Sequence, residues 1–135
     1  MRVDFSQKMM FSFEGPNLCL LGNEQDFKSL GEAIVDLTSH SHSYAIELTA
    51  LDFIEITGEK IKVIFASKPG ADLLGKIINN NELLFELDSR YWERIFIFIA
   101  LMSWDKKTYY LNSFEDALRD LPLDQECHLI CSSEF

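Results

Sequence analysis

The run Tyr91–Trp104, YWERIFIFIALMSW, decides how this chain is built, because as a strand it would extend a sheet and as a helix it would cover one. An unbroken apolar run does not disclose its own period. Its Ile and Phe content is what a buried strand uses, whereas Asp88 and Ser89 just before it carry the side chains of helix caps. The weight of Ile and Phe predicts a strand over 90–104, with DKK at 105–107 turning the chain into an edge strand at TYYLN, 108–112.

Working outward, Glu14-Gly15-Pro16-Asn17 separates two apolar runs and predicts a β-hairpin of about 8–13 and 17–21. Asn23 is placed to cap a helix over 24–38, in which Phe27, Leu30, Ile34 and Leu37 recur on one face and Asp26 sits near the positive end. Strands follow at 44–48, 52–57 and 60–66. Leu73, Leu74, Ile77 and Ile78 fall at helical spacing and predict a short helix over 71–78. ELLFEL, 82–87, reads as a strand. Ser113 is placed to cap a last helix with Phe114, Ala117, Leu118 and Leu121 on one face, stopped by Pro122, and CHLIC, 127–131, closes as a strand. The expectation is an α+β fold: a mostly antiparallel sheet with two or three helices packed on one face. With 135 residues and no linker, low-complexity tract or internal repeat, residues 1–135 read as one domain.

Hydrophobic residues make up 47% and charged residues 25%, a globular balance. The 22 acids against 12 bases give a net charge of −10, which repels nucleic acid and anionic membranes and attracts a basic partner. MRVDFSQKMMFSFEG lacks the order of a signal peptide, and the apolar run 95–102 is far short of the ~20 residues of a membrane span, so a cytoplasmic protein is expected. Cys19, Cys127 and Cys131 have no finger or ribbon spacing and read as buried free thiols.

SKPGADLLGKI, 67–77, misses the phosphate-loop pattern G-x-x-x-x-G-K-[ST] by its last residue. Ile77 cannot supply the hydroxyl that would hold magnesium, and Asp72 would set a carboxylate against phosphate. The segment is therefore read as strand, Pro69-Gly70 turn and helix. His40 and His42 form H-x-H, two metal-ligand types without a third, in a serine-rich loop. The carboxylates Glu47, Asp52 and Glu55, and Glu82, Glu86 and Asp88, have the spacing of half-solvated strands. Acids flanking Cys127-His128 raise a thiol's pKa and argue against a Cys–His nucleophile.

Residues 113–135 hold six acids against one base, Arg119, about half of the net charge. Aromatic residues cluster just before them. The expectation is a small acidic protein-binding module, of the inhibitor or immunity type in a bacterial pair, that occludes a basic partner. Its expected contact residues are Glu115, Asp116, Asp120, Asp124, Trp104, Tyr109 and Tyr110, with no catalytic residue, cofactor or metal. The alternatives are a small enzyme or ligand-binding domain with a carboxylate-lined pocket built from Glu82, Glu86, Asp88 and His128, or a homo-oligomeric structural subunit.

Overall fold

A computed structural model describes residues 1–8, 15–79, 81–104, 112–113, 124 and 126–133. In chain order the elements are β1 (Arg2–Ser6), β2 (Asn17–Leu21), α1 (Glu24–Thr38), β3 (Tyr44–Glu47), a 3-10 turn (Leu48–Ala50), β4 (Glu55–Gly58), β5 (Lys62–Ser67), β6 (Asp72–Ile78), β7 (Glu82–Leu87), α2 (Ser89–Trp104), β8 (Asn112–Ser113) and β9 (His128–Ser132). They form two sheets, ordered β4-β1-β2-β9-β8 and β3-β5-β7-β6. The α+β class holds. Among the described strands four pairings are antiparallel and three parallel, so the sheets are mixed.

The two sheets repeat one scheme. In the first, hairpin β1–β2 carries β4 parallel on its outer side, and β2 lies parallel to β9, which pairs antiparallel with β8. In the second, hairpin β6–β7 carries a parallel bridge from Leu73 to Asp124 on its outer side, and β7 lies parallel to β5, which pairs antiparallel with β3. Each half of the chain lays its hairpin in one sheet, passes through a helix, delivers two strands to the other sheet (β3 and β5, then β8 and β9) and between them returns one segment to its own (β4, then Asp124). The sequence reading found no repeat because identity is lost and only the burial pattern survives. Leu18, Leu20, Phe27, Leu30, Ile34 and Leu37 are matched 65 positions later by Leu83, Phe85, Trp92, Ile95, Ile99 and Met102, all buried.

Local chemistry explains the helices. Asn23 accepts from the Asp26 amide at 2.9 Å while the Asp26 carboxylate accepts from the Asn23 amide at 3.0 Å, a reciprocal cap that starts α1 where the sequence places it. Sixty-five positions on, Asp88 accepts from the Arg90 amide at 3.1 Å and starts α2. This corrects the strand expected over 90–104. The cap and the buried spacing of Tyr91, Trp92, Ile95, Ile99 and Met102 override the β preference of Ile and Phe. Trp92 fixes the helix on the second sheet: its indole N–H donates to the Ala66 carbonyl at 2.8 Å, and its ring packs 4.9 Å from Phe65.

The helix expected over 71–78 is strand β6. Its strict alternation is interrupted at Gly75, where the register against β7 shifts between Leu74 and Lys76 and φ is +84°. That extra residue turns a two-residue period into one that imitates helical spacing. Gly75 is also crowded: a Cβ there would lie 3.1 Å from the Cys127 Cβ and 3.2 Å from the Cys127 carbonyl oxygen. Gly70, at φ +78°, makes the turn before β6 and donates its amide to Asp88 at 2.8 Å. The two glycines of the phosphate-loop near-miss thus serve a turn and a bulge.

Of the hairpin expected at 8–13 and 17–21, the second strand is β2 and its partner is β1 at Arg2–Ser6; residues 9–14 lie outside those described. The strands expected at 44–48, 52–57 and 60–66 occur as β3, β4 and β5 with shifted ends, Leu48 entering the 3-10 turn instead. Ser113 belongs to β8, and the helix expected after it, like residues 108–111 of the expected edge strand, lies outside the described residues.

Candidate functional site

Among the described residues, the outward faces of α1 and α2 carry a feature that folding does not require. Glu24, Gln25 and Lys28 at the start of α1 lie beside Ser103 near the end of α2, so the two helices run antiparallel. Between them runs a furrow of about 320 Å³ lined by Phe27, Gly31 and Val35 of α1 and Phe96 and Ala100 of α2, with Lys28, Glu32 and Ser103 at its rim. Gly31 keeps the floor low, its missing Cβ standing 3.5 Å from the Phe96 ring.

The repeat supplies an internal comparison. The solvent-facing positions Glu32 and Asp36 of α1 correspond, 65 residues on, to Ile97 and Leu101 of α2. Both pairs are exposed. Ile97 is 58% and Leu101 60% accessible, and Val35 across the furrow is 50% accessible. Since α1 fills the same places with carboxylates, the scaffold tolerates polar residues there, and the apolar pair on α2 has no role in the core. Ile97 and Leu101 stand one helical turn apart, and paired apolar exposure without a packing role marks a candidate contact site.

Charge divides along the same face. Glu32 and Asp36 stand on the C-terminal half of α1, whereas the N-terminal half of α2 carries Arg90 and Arg94 with Glu93 between them, all exposed. The Arg90 guanidinium lies 4.9 Å over the Tyr91 ring and 3.8 Å from Asp88, and Asp36 lies 3.8 Å from His40. Glu32 and Arg94 join no ion pair among the described residues.

The residues singled out from sequence are distributed elsewhere. Tyr109, Tyr110, Glu115, Asp116 and Asp120 lie outside the described residues. Trp104 ends α2. Asp124 is exposed, with its backbone bonded to Leu74 and Asp72 at the edge of the second sheet. Glu82 and Glu86 share a face of β7, Asp88 accepts from the Gly70 and Arg90 amides at the start of α2, and His128 opens β9 in the other sheet. The Asp88 carboxyl is held below its ordinary range by the Gly70 amide, then by the Arg90 amide. Glu47 sits on β3 in one sheet and Glu55 on β4 in the other. His40 stacks on Tyr44 at 3.6 Å with His42 edge-on at 6.2 Å, and no group of three metal-ligating residues occurs among the described residues.

All three cysteines are buried and join no disulfide. Burial, reinforced by Asp4, pushes the Cys19 thiol up to about 12, and burial holds Cys131 well above its ordinary value. Neither is a nucleophile at neutral pH. Among the described residues no helix is long and apolar enough to cross a membrane.

Sequence reasoning missed Val35, Ile97 and Leu101. Their signal was present once 91–104 is placed on a helix: Tyr91, Trp92, Ile95, Ile99 and Met102 already make a buried stripe, and Ile97 and Leu101 fall outside it at i, i+4. Comparison with known protein families, curated proteins and solved structures finds no match.

Proposed function

We propose that the chain is a protein-binding module whose contact surface is the outward face of α1 and α2, centred on Ile97 and Leu101. The observation that carries this reading is the exposure of those two side chains at positions where the matching helix has Glu32 and Asp36. The mechanism is occlusion: apolar side chains leave water against a partner while the charged rim sets orientation. A double substitution that copies α1 onto α2, Ile97→Glu with Leu101→Asp, removes the apolar surface without touching the buried stripe. In capture from a lysate of the source cells, wild type is expected to retain a partner that the double variant retains about tenfold less, the loss of roughly one hot-spot contact. Equal retention by both proteins contradicts the reading.

A basic partner occluded by an acidic surface is a second reading, favoured by the net charge of −10 and by the exposed Asp124. Charge reversal at Glu115, Asp116 and Asp120 should then slow association and lower its salt dependence. Unchanged kinetics would remove this reading.

A further inference from the structure

We infer that the partner taken by the α1–α2 face is a second copy of this chain; the inference rests on reading that face as a contact surface. A two-fold interface must be self-complementary, presenting one patch that fits its own image. Because the helices are antiparallel, the half of α1 that carries Glu32 and Asp36 and the half of α2 that carries Arg90 and Arg94, with Glu93 between them, lie at the same end of the furrow. A two-fold axis parallel to the helices lays α1 of one protomer over α2 of the other. Glu32 and Asp36 then come within about one helical turn of Arg94 and Arg90 on both sides of the axis, with the exposed Glu93 between the two arginines, and Val35, Phe96, Ile97 and Leu101 form the shared apolar seam.

The face is large enough for a weak dimer. Two helices of 15 and 16 residues at ~1.5 Å per residue and ~10 Å apart present roughly 23 by 20 Å, or about 450 Å² per protomer. With side-chain relief both protomers together reach about 1,000 Å², the lower bound of a specific interface. The net charge of −10 opposes association at low ionic strength, so the pairing is favoured at physiological salt, where screening acts beyond about 8 Å.

The test is sedimentation velocity at physiological salt, from micromolar to millimolar protein. Expected is a concentration-dependent dimer, abolished in the Ile97→Glu/Leu101→Asp variant, whose folding is checked by circular dichroism. Glu32→Arg or Arg94→Glu alone should weaken the dimer about tenfold, on the order of one charge pair, and the two together should restore it. The charge pair keeps the test decisive if the apolar variant fails to fold. Wild type that stays monomeric throughout overturns the inference, as does a dimer indifferent to both sets of substitutions. A monomer whose lysate capture still depends on Ile97 and Leu101 refutes the second copy alone; a monomer without such dependence refutes the contact surface as well.

Discussion

Asp88 joins two segments with one carboxylate: one oxygen accepts from the Gly70 turn, the other from the Arg90 amide at the start of α2. Asp88→Ala should therefore lower stability by about 1 kcal/mol, the usual worth of an N-cap, measured by urea unfolding. Its carboxyl is depressed in the fold, so its contribution is present above the unfolded carboxylate range and lost as pH falls through the folded value. Asp88→Asn should accordingly show a shallower loss of stability in acid. Cys19 acts at the opposite limit. Its thiol is raised from 9.0 to about 12, so the stability it contributes is complete below 9.0 and declines as pH rises toward 12. Cys19→Val should flatten that alkaline decline; an unchanged profile contradicts the burial argument. Sequence reading correctly kept the cysteines buried and out of disulfides from their spacing. It could not see that Gly75 is a bulge, because that depends on β7 and Cys127 across the sheet.

At the scale of elements, α1 was legible to the residue because its cap, its polar face and its buried stripe all agree. For α2 local preference and pattern conflict. The apolar residues beyond its buried stripe, Ile97 and Leu101, blurred the helical period in sequence and form the candidate surface in the structure. The same residues thus concealed the element and mark the site. Ile97→Glu with Leu101→Asp should change unfolding free energy by no more than about 0.5 kcal/mol, as for ordinary surface positions. A loss of several kcal/mol would mean that the pair belongs to the core. Gly31 and Gly75 form a contrasting pair: Gly31→Ala adds an ordinary 3.5 Å contact in a helix interior and should stabilise by about 0.5–1 kcal/mol, whereas Gly75→Ala must adopt φ +84° against backbone and should destabilise. Thermal melts of the two variants would separate these signs.

For the whole molecule, the exchange of last strands makes each half incomplete: β5 needs β7, and β9 needs β2. Fragments cut between Lys68 and Pro69 should be unfolded alone and recover native circular dichroism when mixed; independent folding of either fragment would contradict this pairing. The fold class was legible from composition and turn signals. The two-sheet exchange was not, because parallel pairing between residues far apart leaves no local pattern. The same repeat supports the central claim, since it makes α1 the control for α2. Hydroxyl-radical footprinting tests that claim most directly, comparing dilute with concentrated protein at physiological salt. Oxidation of Ile97 and Leu101 should fall as concentration rises, while Ile56, 40% exposed on β4, keeps its reactivity. Equal oxidation of Ile97 and Leu101 at both concentrations would contradict the account.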